Sequence, residues 1–364
     1  MPQIRTALIG CGKIGRTHAQ ALGQLPESDF VAVCDTQSER AESFAAEFNS
    51  APYTDVATMV RQSQVQAVFV ATPHPLHTEA VLAAVGHGAH ALVEKPLAAS
   101  LADCDRMIAA AQQAGVHLGT ISQRRLYEPA QRLKAAIDAG KIGRPVLGVL
   151  QMFNWRDQAY YESDPWRGRW DSEGGGVLVN QAPHQLDLLQ WYMGPIQEVS
   201  AYWGNLNHPY IEVEDTAVAV IRFRNGGLGS LVVSNSQKPG IYSKIHIHGD
   251  NGASVGVQTD GGATFIAGVS EVVEPPITDL WSVPGEEDLL PQFQAADRAA
   301  FAAVDPAAHY HLLQIDDFLQ AVLQDRPPLV PGQEGRNVVE FFTAIYRSQA
   351  LNRPVSFPLS EESP

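Results

Sequence analysis

Short apolar runs alternate with segments of helical spacing through the first third of the chain. Arg5–Ile9, Phe30–Cys34, Ala67–Ala71, Ala91–Glu94 and Val116–Thr120 read as buried strands. Between them, Ile14–Leu25, Ser38–Phe48, Pro75–Gly86 and Leu101–Ala114 carry helical spacing, with Gly86 and Gly88 able to stop the third helix. Strand–helix alternation of this kind predicts a parallel, doubly wound sheet. Past Gln123 the pattern changes. Glu128–Gly140 reads as one more helix, and then Pro145–Trp155, Glu198–Gly204, Thr216–Arg224, Gly229–Ser234 and Lys244–Gly249 read as strands. Asn225-Gly226-Gly227 and Asp250-Asn251-Gly252 separate strand-like runs with hairpin chemistry, so the second sheet is expected to be mainly antiparallel. His309–Leu323 and Gly335–Leu351 read as late helices, Pro284–Pro291 as an exposed acidic loop, and Ser360–Pro364 as a frayed tail. The predicted fold is α/β: a doubly wound domain over residues 1–123, then an α+β domain over 124–364.

Composition narrows the function. The chain has 364 residues, 45% hydrophobic and 18% charged, enough for two cores. A formal net charge of -15 argues against nucleic acid and anionic membranes as partners. No apolar run reaches the ~18 residues of a membrane span, and the apolar start at Ile4–Ile9 runs straight into a glycine loop rather than a cleavage site. Cys11, Cys34 and Cys104 form no C-x-x-C pair and read as reduced packing residues of a cytoplasmic protein.

The glycine loop is Gly10-x-Gly12-Lys13-Ile14-Gly15. It follows a strand, opens a helix, and is followed by Asp35 at the end of the second strand. This is the context of a Rossmann-type dinucleotide site. Gly10 permits the tight turn, Gly12 lets the backbone approach a pyrophosphate, and Gly15 lets helix and strand pack closely. The helix N-terminus faces the phosphates. Asp35 would accept hydrogen bonds from ribose hydroxyls and repel a 2′-phosphate, which favours NAD over NADP, although Arg40 can reach toward the same place. Thr72-Pro73-His74 sits on an extended loop at the carboxyl edge of the sheet, where ligands of such sheets bind. His74 and His77 lack the cysteine or second carboxylate that would make them metal ligands, and no metal is expected. Lys95 ends the fourth predicted strand within Glu94-Lys95-Pro96 and would project from the same edge.

Together these stretches resemble the glucose–fructose oxidoreductase/inositol dehydrogenase family over nearly the whole chain. The resemblance is carried by the glycine motif with His18 beyond it, Ala71-Thr72-Pro73-x-x-x-His77, Glu94-Lys95-Pro96, and Gly174-Gly175-Gly176 leading to His184 and Asp187. It implies a nicotinamide cofactor in the first domain. It also implies an open, mainly antiparallel sheet in the second that often forms homodimer or homotetramer contacts, and oxidation or reduction of a secondary hydroxyl on a sugar or polyol. Lys95 and His184 take the places of the family's usual catalytic groups. Many members carry aspartate where this chain has Asn180, and an amide cannot take a proton. Asn180 is alternatively the N-cap of the helix carrying His184. Asp187, one turn beyond His184, either meets substrate or orients the imidazole, or is a surface carboxylate. Proton transfer then falls more heavily on His184 and Lys95, with Lys95 stabilising developing alkoxide charge, depressing the histidine's affinity for a proton, or relaying the proton.

Asn154–Asp171 is rich in Trp, Arg and Asp and is read as an irregular pocket wall, with Tyr160, Trp166 and Arg167 as substrate residues. Trp155 and Trp170 are alternatively packing residues. Gln123 and Arg124, at the expected domain junction, are further candidates for cofactor and substrate respectively, as are His18 and Tyr310 for substrate. The resulting expectation is an NAD-dependent sugar, glycoside or polyol oxidoreductase. Relatives that cycle NAD internally to cleave glycosides, and a dinucleotide-sensing repressor, are the alternatives.

Overall fold

A computed structural model describes residues 2–238, 240–261 and 275–359. The chain forms two compact units, one from Met1–Gln123 with Ala307–Val339, the other from Arg124–Pro306 with Glu340–Pro364. In the first unit, strands and helices alternate as β1 (Ile4–Ile9), α1 (Lys13–Gln24), β2 (Ser28–Cys34), α2 (Ser38–Phe48), β3 (Ala51–Tyr53), α3 (Val56–Gln62), β4 (Ala67–Val70), α4 (His77–Val85), β5 (His90–Val93), α5 (Leu101–Ala114) and β6 (Leu118–Thr120). All six strands are parallel, in the order β3-β2-β1-β4-β5-β6. The winding reverses between β1 and β4. Gly10 and Ala71 leave the carboxyl ends of these two strands, the place where open α/β sheets receive ligands.

Within this alternation, β3 and α3 were not foreseen. β3 is a three-residue edge strand containing Pro52, a residue tolerated only at sheet edges. The seven-residue α3 depends on Asp55, whose carboxylate caps the Thr58 N–H at 2.8 Å. The helix expected from Pro75 begins instead at His77, because a 3₁₀ turn over His74–Leu76 takes up the proline.

The second unit contains α6 (Glu128–Asp138), β7 (Pro145–Phe153), α7 (Gln158–Glu162), a π-helical turn over Val177–Gln181, α8 (Pro183–Met193), β8 (Ile196–Gly204), β9 (Thr216–Phe223) and β10 (Leu228–Ser234). The chain continues through β11 (Tyr242–Gly249), β12 (Ser254–Gly261), β13 (Ile277–Trp281), α9 (Leu290–Ala302), α10 (His309–Gln324), α11 (Gly332–Leu351) and β14 (Val355–Ser356). The sheet runs β13-β12-β11-β7-β10-β9-β8-β14, with β7 and β10 parallel and every other pair antiparallel. The two glycine turns join β9 to β10 and β11 to β12 as hairpins. On β9, Ala217, Ala219, Ile221 and Phe223 point inward while Val218 and Val220 are exposed. α8 lies on the inner face, so close to β7 that a Cβ on Gly148 would sit 2.8 Å from Met193 Cγ and 2.9 Å from Leu189 Cδ1.

Three expectations change. Residues 307–339 belong with the first unit, although all of 124–364 was expected in the second domain. α10 turns Ile315, Phe318 and Leu319 into the core built by Leu8, Leu22, Phe69 and Leu92. Gln314 accepts the Ser122 N–H at 2.8 Å and donates to the Thr120 carbonyl at 2.8 Å. An amphipathic stripe shows that a helix is buried, not which core receives it. Next, Pro284–Pro291 is not wholly a loop: a 3₁₀ turn covers Glu287–Leu289, and α9 starts at Leu290 with Pro291 in its first turn, where proline needs no N–H partner. Finally, Asn180 is not the N-cap of α8, which Ala182 occupies. The expected tail Ser360–Pro364 lies outside the described residues.

Truncating Phe318, which is fully buried and edge-on to Phe69 at 6.0 Å, tests the placement of α10. Phe318→Ala is expected to lower unfolding free energy by about 3–5 kcal/mol in urea titrations. A loss below about 1 kcal/mol would remove α10 from that core.

Candidate functional site

In the first unit the glycine loop is shaped by close backbone approach. Gly10 adopts φ +99°, and a Cβ there would lie 2.7 Å from the backbone of Ala71 and Thr72. A Cβ on Gly15 would stand 2.1 Å from the Gly10 carbonyl, so α1 can follow β1 this tightly only with glycine. Gly12 is the opposite case. Nothing lies within 4 Å of its Cβ position, and it starts α1 without a side-chain cap. The first-turn N–H groups of Lys13, Ile14 and Gly15 therefore meet no capping side chain from Gly12. Asp35, at the end of β2, is fixed by two backbone donors, Cys11 N–H and Gln37 N–H, each at 3.0 Å. Arg40 approaches its carboxylate to 3.7 Å.

β5 ends at Val93 and delivers Glu94 and Lys95 to the same edge. Glu94 is buried, yet its carboxyl is held well below the usual range. Burial pushes it upward, and hydrogen bonds and charge from His18 and His311 outweigh that. His18 Nε2 lies 2.8 Å from Oε1 and His311 Nε2 3.6 Å from the same oxygen, while Oε2 accepts the Lys95 N–H at 3.2 Å. Ligand atoms of His18, Glu94 and His311 lie within 4.8 Å of one another, a spacing a metal could also use. The 2.8 Å contact is a hydrogen-bond length. Ligands at ~2.1 Å on a tetrahedral zinc stand roughly 3.4 Å apart.

His77, foreseen near the cofactor, faces carbonyls with both ring nitrogens: Thr72 at 3.0 Å, Pro96 at 3.1 Å and Leu97 at 3.2 Å. It ties the loop after β4 to the loop after Lys95, and burial lowers its pKa against those carbonyls. Thr72 and Pro73 occupy the loop after β4, and His74, also buried, opens the 3₁₀ turn beyond them. Gln123 begins a 3₁₀ turn after β6. Tyr310 is buried on α10 beside His311, at 1% exposure.

In the second unit, the π-helical turn carries Asn180 and α8 carries His184 and Asp187. Asn180 Nδ2 donates to Glu173 Oε1, and the other Glu173 oxygen accepts the Gly168 N–H at 2.5 Å. Asp187 is paired through both oxygens with Arg125, at 2.7 and 2.5 Å, and both residues are buried. This makes it an internal ion-pair carboxylate rather than a surface one. Arg124 reaches Thr259 at 3.4 Å. Asn154–Asp171 is partly regular: Asp157 caps α7 by accepting the Tyr160 N–H at 2.9 Å. The Tyr160 hydroxyl accepts from Arg167 at 2.6 Å and Gln181 at 2.9 Å, and its ring lies under Arg167 and Arg156 at 4.5 and 5.0 Å. Burial raises its pKa. Arg167 also covers Trp166 at 4.5 Å, so the three expected pocket residues form one cluster. Trp155 packs on His208 and Trp170 on Trp203 and Tyr346, as packing residues do.

Two family models match the chain. One, described as an oxidoreductase family with an NAD-binding Rossmann fold, matches residues 4–121; the other, a GFO/IDH/MocA C-terminal domain, matches residues 130–255. The chain belongs to the GFO/IDH/MocA oxidoreductase family. Among its relatives, myo-inositol 2-dehydrogenase of Thermotoga maritima is 28% identical, covering 97% of this chain and 98% of that one. The 1,5-anhydro-D-fructose reductase of Ensifer adhaerens is 31% identical, covering 69% and 75%. The WlbA dehydrogenase of Bordetella pertussis, solved in complex with NADH and UDP-GlcNAcA, superposes with a TM-score of 0.83 at 31% identity, covering 98% and 100%.

As a GFO/IDH/MocA oxidoreductase, the chain carries an NAD-binding Rossmann fold, and its first unit fits a dinucleotide. The space beside Gly12, the absence of a side-chain cap on α1 and the fixed Asp35 carboxylate are what such a ligand needs. Sequence reasoning gave no role to His311, Arg125, Glu173 or Gln181. Each acts through a partner distant in sequence or on an irregular segment, and no local spacing marks it. Because the Glu94 pKa is depressed, its stabilisation is present above the unfolded carboxyl value, ~4.3, and is lost as pH falls through the folded one. Glu94→Gln should therefore melt below wild type at pH 7, with the gap narrowing as pH drops below about 4. A pH-independent gap would remove the buried charge from the explanation.

Proposed function

We propose that the protein oxidises or reduces a secondary hydroxyl of a sugar, glycoside or polyol with NAD, using Lys95 and His184 for the proton. The carrying observation is the placement of the Glu94-Lys95-Pro96 segment at the carboxyl edge of a Rossmann sheet in a chain of this family. Bound NAD supplies the hydride acceptor in the oxidative direction. Asp35 holds the adenosine ribose, with Arg40 near its carboxylate, and no lysine or arginine occupies the two positions after Asp35 to favour a 2′-phosphate. Gly10, Gly12 and the first turn of α1 receive the pyrophosphate. His184 takes the hydroxyl proton as a neutral imidazole, and Lys95 lowers the energy of the developing alkoxide. Asn180 donates or accepts a substrate hydrogen bond without exchanging a proton. Tyr160, Trp166 and Arg167 line the sugar. The relatives' substrates and ligands, an inositol, an anhydrofructose and UDP-GlcNAcA, support the class without choosing within it.

The decisive measurement is nicotinamide absorbance with NAD and NADP across monosaccharides, inositols, glycosides and sugar acids. NADH formation with one class names the substrate group. Silence, with NAD released only on denaturation, overturns net oxidoreduction in favour of internal cycling or sensing. Lys95→Ala and His184→Ala should each cut turnover by at least about a hundredfold; near-normal rates in both would end this mechanism.

A cytoplasmic setting suits the three buried thiols, each pushed up to about 12 chiefly by burial. No helix among the described residues is long and apolar enough to cross a membrane. A homo-oligomer is supported by the outer face of the second sheet. Tyr202 pairs with Val218 and Leu147 with Leu228, and these four, with Val220, are exposed apolar residues. Val220→Asp should shift the particle to monomer mass in light scattering; an unchanged oligomer would exclude this face.

A further inference from the structure

Glu214 lies in the loop before β9 and is fully buried. It follows Glu212 and Val213 in the chain. Three consecutive N–H groups at the start of the π-helical turn end on this one residue. Gly176 donates to Oε2 at 2.9 Å, Leu178 to Oε1 at 3.0 Å, and Val177 to the main-chain carbonyl at 3.1 Å. These are the donors a helical start leaves without intrahelical partners, and Gly176 has no side chain to cap them. From α11, the Tyr346 hydroxyl donates to Oε1 at 2.8 Å. Its ring is fixed edge-on by Trp170 at 5.6 Å and Trp203 at 5.3 Å.

The glycine triplet follows from this packing. A Cβ on Gly175 would meet Tyr346 Oη at 2.3 Å, and one on Gly176 would meet the Glu214 carbonyl at 1.9 Å. The turn is therefore pressed against the Glu214–Tyr346 pair, and it continues through Asn180 into the helix of His184.

We propose that Glu214, locked by Tyr346, is a positioning residue that holds the Gly176–Gln181 turn and through it Asn180 and His184. This rests on the reading of those two residues as substrate-facing. The side-chain oxygens of Glu214 accept from three donors, Gly176, Leu178 and Tyr346, which join the start of the turn to α11. Burial pushes its pKa up to about 7 against the Leu178, Tyr346 and Gly176 hydrogen bonds. The other charged or titratable groups around it are Tyr346 on α11, Glu173 before the turn and Asp215 beside it. His208 donates to Asp215 at 2.8 Å, which keeps that carboxyl depressed. With its folded pKa above the unfolded value, ionising Glu214 lowers stability as pH rises from about 4.5 through 7.

Amide hydrogen exchange of the full-length protein tests this without a substrate. Protection of Gly176 and Leu178 should fall as pH rises from about 4.5 through 7 in wild type, because buried Glu214 holds its proton more tightly than it does when the turn opens. It should show no such step in Glu214→Gln and should be at least tenfold lower in Tyr346→Phe at pH 8. NAD dissociation constants should stay within twofold in both. With any panel compound that yields NADH, kcat should fall at least tenfold in Glu214→Gln while the KM for NAD holds. Equal protection in all three proteins overturns the proposal, as does a kcat loss matched by lost NAD affinity. If His184→Ala stays active while the exchange step is present, the positioning of the turn stands and the catalytic reading of His184 falls.

Discussion

A buried carboxylate obliges its surroundings to supply donors, and Glu94 imposes that demand on the first unit. An uncompensated charge in such a place costs several kcal/mol. Here α1 brings His18, α10 brings His311, and the main chain of Lys95 supplies a further N–H. The requirement joins the helix that begins at the glycine loop to the strand end that presents Lys95. It also draws in a helix that arrives more than two hundred residues later in the chain. The apolar face of α10 could pack on many surfaces. His311 and the two hydrogen bonds of Gln314 fix which surface and in which register.

The second unit solves a related problem with backbone donors. A π-helical turn begins with N–H groups that need acceptors, and it begins on glycines that cannot provide them. Glu214 and the aromatic wall of Tyr346, Trp170 and Trp203 supply the acceptors and the pressure. Downstream, α8 lies against β7 because Gly148 leaves room for Leu189 and Met193, and the Arg125–Asp187 pair anchors its buried face. The segment carrying Asn180 and His184 is thus supported at its entry and along its length, which suits the proton-transfer role proposed for His184. Each unit fixes its own groups, so the chemistry proposed here depends on two separately built constellations.

The outline of both units was legible in the chain because it is written in local patterns. Apolar strands alternating with amphipathic helices gave the parallel sheet, and Asn-Gly and Asp-Asn-Gly turns gave the hairpins of the second. The glycine loop, Asp35 and Glu94-Lys95-Pro96 could be placed for the same reason: each stands directly after a strand that its own apolar run marks. Short elements such as β3 and α3 were not visible, since too few residues carry their period. Tertiary structure alone decided that 307–339 returns to the first unit, that His77 bridges two loops, and that Asp187 belongs to Arg125. It also decided that an acidic stretch before β9 turns inward to become the acceptor for a helical turn. Burial and hydrogen-bond partnership depend on residues that the chain brings together from far apart, and a local pattern holds no record of them.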